Sequence, residues 1–327
     1  MLSRVAESIY WMARYVERAE NLARFIDVTL NLMLDQPFGG DRQWEPLVFA
    51  TGDEKFFNEH YGHADQETVI RFLTFDRDYP NSIVSALYAA RENARSIRET
   101  ISSEMWEQLN EFYHFVGDAA NSDRPLESPS EFFRQVKQAS HLFNGITDAT
   151  LSHGTGWNFM NVGRLLERAD KTSRILDVKY FTLLPNVNDV NTSIDDLQWS
   201  AVLRSVSGLE MYRKRFHGIT VHRLVEFLVL DRTFPRAVQH CVWHADASLH
   251  EISGSAVGSF RNPAEQRMGQ LKSELAYLRV DEIIDQGLHQ FIDSLQTKLN
   301  SVGAAIHDTF FGLRPIESHT TQSQVQS

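Results

Sequence analysis

Residues 15–28 read YVERAENLARFIDV and residues 165–178 read LLERADKTSRILDV, so one charged phrase occurs twice in this chain. Both copies contain Glu-Arg-Ala, an acidic residue, three variable residues, Arg, two apolar residues and Asp-Val. A helix that only had to bury an apolar stripe would have no physical reason to keep the same charges in both copies. The phrase therefore indicates an internal repeat and a constraint on its charged residues.

The repeat extends beyond this phrase. A second pair of segments, VIRFLTFDRDYP at 69–80 and LVEFLVLDRTFP at 224–235, follows in the same order and at nearly the same offset. Matched order and spacing predict a tandem duplication. We assign residues 1–153 to the first repeat, 154–314 to the second and 315–327 to a flexible tail.

Each repeat has the pattern of a helical bundle. Apolar residues recur at three- and four-residue spacing through 2–34 and 157–183, and we find no convincing strand pattern. Pro80 and Pro235 are predicted to occupy first helical positions. The predicted fold is all-α, with two similar bundles packed about a pseudo-twofold axis.

Composition narrows the classes of partner. A formal charge of -11 argues against general nucleic-acid binding and against anionic membranes. No apolar run reaches the roughly 18 residues of a membrane span, and the N-terminus does not resemble a targeting peptide. Cys241 is the single cysteine of the chain, which excludes an internal disulfide. We expect a cytoplasmic protein.

The matched charges fall on one face of each predicted helix. If this face is structural, each glutamate accepts bidentate hydrogen bonds from arginine, and the buried pairs fix the helix register. If it is functional, the arginines line a groove for carboxylate or phosphate. The structural interpretation is favoured because charge pairs between packed helices are common, although the arginine excess points towards an anion. The residues concerned are Arg14, Glu17, Arg18 and Arg24 in the first copy and Arg164, Glu167, Arg168 and Arg174 in the second.

A further basic pattern occurs in the first half only. Arg91, Arg95 and Arg98 have i, i+4 and i+7 spacing, and Glu104 lies close by in the sequence. The second half lacks this pattern, which favours a function for the first half. The alternative is a solvated face with weak helical salt bridges.

The Asp-Arg-x-aromatic-Pro phrase marks a turn between two helices. Asp76 and Asp231 are predicted to bond turn amides. An alternative role for this phrase is that Arg77 and Arg232 pair with the charged faces of the two predicted helices.

Metal and catalytic motifs are sparse. His240 with His244 has i, i+4 spacing, and Glu111 with His114 forms a single Glu-x-x-His pair, whereas a di-iron bundle requires two such pairs and further carboxylates. No P-loop, dinucleotide fingerprint or nucleophile elbow is found. We predict no metal and no cofactor.

The phrases at 8–28, 89–110 and 156–185 resemble the Alpha-E domain family, and the likeness extends from Met1 to about Leu313. The resemblance implies a helical domain, typically duplicated, with Glu17-Arg18 and Glu167-Arg168 as its Glu-Arg motifs. It also implies a bacterial system that makes or modifies peptides. The implied partners are a circularly permuted ATP-grasp ligase and a transglutaminase-like protein. No ATP-grasp region occurs in this sequence, so a ligase is expected to be a separate protein.

Two functions remain open. The favoured one is a helical binding or scaffold component that acts with the ligase and binds an anionic peptide or partner surface. The alternative is an enzyme of the same pathway that uses Glu17 or Glu167 as acid or base; a metal-binding bundle ranks below both. Binding is favoured because neighbouring arginines lower a carboxyl pKa, whereas acid-base catalysis needs one near neutrality. The sequence makes no prediction of oligomeric state.

Overall fold

The computed structural model describes residues 1–35, 44–122, 124–182 and 193–312, and within these ranges it contains helices and no strand. The predicted all-α class is confirmed. The predicted tail, 315–327, lies outside the described residues. In the first half the helices are α1 (Ser3–Asp35), α2 (Glu45–Thr51), α3 (Glu54–His60), α4 (Gln66–Phe75), α5 (Ile83–Ser96), α6 (Ser103–Ala119), α7 (Arg124–Glu127) and α8 (Pro129–Thr150). In the second half they are α9 (Thr155–Thr182), α10 (Ser193–Ser205), α11 (Leu209–Arg215), α12 (Val221–Val229), α13 (Val238–Ser253), α14 (Pro263–Tyr277), α15 (Val280–Gln286) and α16 (Leu288–Ile306), followed by a π-helical segment, His307–Phe311.

Side chains at the helix starts explain several of these boundaries. Asp65 caps α4: its carboxylate accepts a hydrogen bond from the amide of Thr68. The Thr68 hydroxyl in turn accepts a hydrogen bond from the amide of Asp65. Ser102 caps α6, because its hydroxyl accepts a hydrogen bond from the amide of Met105. The prediction that Pro80 and Pro235 open helices was wrong. Both prolines lie in turns, and α5 and α13 begin three residues later.

The long helices α1 and α9 form the centre of the fold. Helix α1 packs against α5, α8 and α10, whereas α9 packs against α13, α16 and α2. The close approach of α1 and α9 depends on Gly163, because a Cβ atom there would lie 2.5 Å from the carbonyl oxygen of Tyr10. Apolar side chains from both halves form one continuous core around this pair.

The two halves make parallel contacts. Each central helix packs against the fifth and eighth helices of its own half and the second helix of the other half. The tandem duplication and its pseudo-twofold axis stay predictions from the sequence. The predicted boundary between residues 153 and 154 falls in the connection between α8 and α9.

None of the helices in the described ranges combines the length and the apolar character that crossing a membrane requires.

Candidate functional site

The charged faces of α1 and α9 meet inside the protein. Glu167 on α9 has no solvent exposure, and its carboxylate accepts hydrogen bonds from two arginines of α1. Arg18 donates through Nε at 2.7 Å and through Nη2 at 3.2 Å, and Arg14 donates through Nε at 2.9 Å. The sequence pattern placed these residues on one face, and the structure shows that this face is buried.

Glu17 on α1 makes the reciprocal contact. It is also fully buried, and Arg168 of α9 donates to its two oxygens at 2.9 and 2.7 Å. Asn21, one turn further along α1, donates to the same carboxylate at 2.8 Å. Each glutamate is therefore bound by an arginine of the opposite helix, which links the two halves through charge-assisted hydrogen bonds.

Arg164 departs from this reciprocity. It occupies the position that matches Arg14, but it donates to Asn161 at 2.6 Å and to Asn144 at 3.4 Å rather than to a glutamate. Its Nε is buried without a hydrogen-bond partner among the described residues. Burial and the nearby charge of Arg168 lower the pKa of Arg164.

Arg236 is a network residue that the sequence reasoning missed. It contacts Glu17 at 3.3 Å, Asn21 at 3.1 Å and the carboxylate of Glu20. Its position in the sequence could have pointed to it, because Arg236 directly follows the proline that ends the second repeated phrase. The matching residue after the first proline is Asn81, which accepts a 2.7 Å hydrogen bond from Arg18.

Glu20 gathers the remaining buried contacts on α1. Arg24 donates to one of its oxygens at 3.0 and 2.8 Å, and Ser140 of α8 donates to the other at 2.7 Å. His141 lies 3.1 Å from the first oxygen. Burial disfavours the charged form of Glu20, but Arg236 and Arg24 outweigh that penalty and hold its pKa well below the ordinary value.

Two arginines also bind helix ends across the halves. Arg24 donates to the carbonyl oxygen of Ser205, at the end of α10, at 2.6 Å. Arg174 donates to the carbonyl oxygen of Ala50 in the last turn of α2 at 3.2 Å, and its other contact is Asp170 at 3.1 Å. Terminal carbonyl groups lack partners within their own helix and carry partial negative charge, so both contacts are favourable.

The pKa shifts of the network residues follow from their burial and from their charged neighbours. For Glu167, burial opposes ionisation, yet Arg18 and Arg14 hold its pKa well below the ordinary value. Burial also opposes the charge of Arg14 and Arg168, but Tyr10 and Glu167 raise the pKa of Arg14, and Glu17 raises that of Arg168. Arg236 differs, since burial and the charge of Arg24 lower its pKa to about 10. Arg24 and Arg236 both contact the same carboxylate of Glu20, so two like charges lie close together there.

Among the described residues, the cavity beside Arg14 does not reach the two glutamates of the network. A cavity of about 230 Å³ between α1, α9 and α16 is lined by Arg14 and Asp170, but by neither Glu17 nor Glu167. Both carboxylates already bind arginine. In this conformation an anionic ligand of Arg14, Arg18 or Arg168 would have to displace a buried glutamate.

The predicted basic stripe is not continuous in the structure. Arg91 and Arg95 lie on α5, which ends at Ser96, and Arg98 lies in the turn that follows. Arg95 pairs with Glu92 at 2.6 Å, whereas the guanidinium of Arg98 lies 4.9 Å from the ring centroid of Trp106. The last member of the predicted set, Glu104, is exposed in the first turn of α6, so the helix dipole accounts for its position.

The repeated Asp-Arg phrase has a local structural role. The Asp76 carboxylate accepts hydrogen bonds from the next turn amides at 2.8 and 3.2 Å, and Asp231 accepts the corresponding pair at 2.6 and 2.8 Å. The expected turn contacts are therefore present. Arg77 and Arg232 are exposed outside the central network, and Arg232 stacks on Trp243 at 4.7 Å.

Among the described residues, neither His240 with His244 nor Glu111 with His114 belongs to a group of three possible metal ligands. The rings of His240 and His244 lie 4.3 Å apart, but within the described ranges the candidate metal cluster is a different one: Asp177, His289 and Asp293.

The fold and the network define an all-helical protein whose central helices are joined by buried Glu-Arg pairs. The chain belongs to the Alpha-E family, described as a predicted alpha-helical domain with a conserved ER motif, and the family profile matches residues 1–311. Glu17-Arg18 and Glu167-Arg168 are the two Glu-Arg sequences in the network. The expected family membership is confirmed.

The chain is also similar to longer mycobacterial proteins. It is 24% identical over 351 residues to an uncharacterized protein of Mycobacterium bovis and, at the same identity and length, to an uncharacterized protein of Mycobacterium tuberculosis. These matches cover 98% of this chain but 37% of each relative. No solved structure matches the chain.

Proposed function

We propose that this protein is a helical binding component of a bacterial system that makes or modifies peptides. It acts in the cytoplasm beside a separate ATP-grasp ligase and a transglutaminase-like protein, and it binds an anionic peptide or an acidic partner surface. The matching region is joined to other sequence in the mycobacterial relatives, of which it covers 37%. That arrangement supports a role beside other protein regions.

The two glutamates of the Glu-Arg motifs already have arginine partners, which supports a structural role for these motifs. Glu17 and Glu167 are fully buried and bound by arginines of the opposite helix. A ligand carboxylate would have to replace these contacts and leave a buried charge without its partner, which costs about 3–5 kcal/mol. We therefore place ligand recognition on the surface.

The exposed guanidinium of Arg98 is the main support for ligand recognition at the surface. It is exposed in the turn between α5 and α6 and stacks on Trp106, and no carboxylate of the described residues pairs with it. Arg91 contributes a second guanidinium 5.6 Å from the same ring. A cation positioned on an aromatic ring presents a fixed positive charge to a partner carboxylate.

Affinity purification from the native host tests both parts of the proposal. The wild-type chain is expected to retain an ATP-grasp protein, identified by mass spectrometry. Arg98→Glu is expected to lose it, because the substitution reverses the exposed charge. Retention should also weaken as salt rises, since exposed charges are screened.

Arg134→Glu is the matched control. Arg134 is a half-exposed arginine on α8 that pairs with Glu131, so its reversal changes the net charge equally at another surface. It is expected to retain the ligase. Failure of the wild-type chain to retain an ATP-grasp protein would refute the partnership, and equal retention by Arg98→Glu would place the contact elsewhere.

The alternative, acid-base catalysis by Glu167, has weaker support. A general acid needs a pKa near the working pH, whereas the arginines hold the pKa of Glu167 well below its ordinary value. The carboxylate also lies outside the lining of the adjoining cavity.

A further inference from the structure

The two Asp-Val ends of the repeated phrase have different neighbours. Asp27 on α1 is buried, and the ammonium group of Lys137 on α8 contacts its carboxylate. Asp177 on α9 is equally buried, but its neighbour on α16 is His289, whose Nδ1 lies 2.9 Å from Oδ1. One carboxylate therefore has a permanent cation beside it, and the other has an imidazole.

A third ligand group completes the cluster at Asp177. Asp293 follows His289 by one turn of α16, and its Oδ2 lies 3.6 Å from His289 Nε2. One nitrogen or oxygen atom from each of the three side chains can be chosen so that all lie within 4.8 Å of one another. Donors around one first-row metal ion lie about 3 to 4 Å apart, given bond lengths near 2.0–2.2 Å, so small side-chain rotations suffice.

The local charge also favours a cation. With a neutral imidazole, Asp177 and Asp293 together carry two negative charges. Asp177 is buried, so water screens its negative charge poorly. A buried carboxylate in this state gains from any added positive charge.

We propose that Asp177, His289 and Asp293 bind a divalent transition-metal ion such as Zn²⁺ or Mn²⁺. The ion supplies at α9 and α16 the positive charge that Lys137 supplies at α1 and α8. Two carboxylates and one imidazole are a donor set for such ions, and three protein ligands leave at least one position for water. The site lies outside the Glu-Arg network and is independent of the peptide-binding proposal.

Nearby charges are compatible with this site. Arg174 lies one turn before Asp177, but its guanidinium binds Asp170 and the carbonyl oxygen of Ala50. Lys171, two turns before Asp177, pairs with Asp170 at 2.9 Å. Neither cation contacts Asp177.

Metal uptake by the purified full-length chain tests the site. The chain is stripped with EDTA, equilibrated with ZnCl₂ and then dialysed, and bound zinc is measured by mass spectrometry and calorimetric titration. We expect equimolar zinc and a Tm that rises with zinc concentration, as mass action requires, with no such shift in MgCl₂. Asp293→Asn and His289→Lys are expected to reduce zinc affinity at least tenfold.

The His289→Lys variant separates loss of metal from loss of fold. It reproduces the lysine-aspartate contact of Asp27, so its Tm without metal should equal or exceed that of the stripped wild type. His240→Ala with His244→Ala is the control for adventitious zinc on the exposed histidine pair, and it should bind zinc like the wild type. Absence of zinc binding, or loss of it in the His240/His244 variant alone, would overturn the proposal.

Discussion

Arg18 on α1 and Glu167 on α9 form a two-point ion pair across the halves, with N–O distances of 2.7 and 3.2 Å. Arg168 and Glu17 form the reciprocal pair. Two fixed pairs on one helix-helix contact define its register, because a shift of either helix by one turn breaks both. In this fold, the Glu-Arg motif of the family therefore holds the two central helices together through ion pairs.

Removal of a glutamate charge from this contact should be costly. Glu167→Gln leaves the partly buried Arg14 and Arg18 without their carboxylate, and we expect a loss of about 3–5 kcal/mol in the free energy of unfolding. Glu17→Gln should cost a similar amount. Urea unfolding followed by circular dichroism measures both. Glu111→Gln, at an exposed position on α6, is the control and should change stability by less than about 0.5 kcal/mol.

The two arginines at Glu20 should differ in their contributions. Arg24→Met removes two short hydrogen bonds to Glu20 and the contact with Ser205, so we expect a loss of about 3 kcal/mol or more. Arg236→Met should cost less than about 2 kcal/mol, because Glu20 keeps Arg24 and Glu17 keeps Arg168 as partners. Urea denaturation of both variants decides between them. A larger loss for Arg236→Met would show that Arg236 is the principal partner.

Gly163→Ala tests the contact distance between α1 and α9. The added methyl group would meet the Tyr10 carbonyl oxygen at 2.5 Å, so the helices must separate, at a cost of about 1–3 kcal/mol. Gly145→Ala on α8 is the matched control, because nothing lies within 4 Å of its Cβ position. It should be neutral or stabilise by up to about 1 kcal/mol through helix propensity. Thermal unfolding measures both variants, and equal Tm values would contradict the predicted contact.

Acid should destabilise the protein through the buried glutamates. The pKa values of Glu20 and Glu167 lie well below the ordinary value, so these groups bind fewer protons in the folded state than in the unfolded state. Their ionisation stabilises the fold above the unfolded pKa of about 4.3, and this stabilisation is lost as pH falls through the folded values. Urea titrations from neutral pH to about pH 3 should show this loss. Glu167→Gln should show a shallower dependence on pH below about 5, and an unchanged slope would refute the assignment.

Cys241 should be chemically silent in the folded protein. Burial raises the pKa of its thiol to about 12, and the side chain has no solvent exposure. Because the thiolate is the reactive form, a thiol reagent such as DTNB should react at pH 8 only after unfolding in guanidinium chloride. Rapid reaction of the native protein would contradict this environment.

Several features of the site were predictable because their signals are local in the sequence. Helical periodicity gave the all-α class, and the repeated phrase selected Glu17 and Glu167 together with the arginines that bind them. Arg236 was missed because it differs from its counterpart Asn81, so comparison of the two repeats did not select it. Pro80 and Pro235 were misplaced because proline suits both a turn and a first helical position.

The sequence by itself determined the helical class, the charged face of α1 and α9 and the family. These depend on the spacing of residues within one turn of a helix or within one phrase. The tertiary structure decided which partner each arginine binds, so that Arg14 contacts Glu167 whereas its counterpart Arg164 contacts Asn161. It also decided that the charged face is buried and that Asp177 lies beside His289. The Arg14–Glu167 and Asp177–His289 contacts join residues more than a hundred positions apart, and helix packing determines their distances.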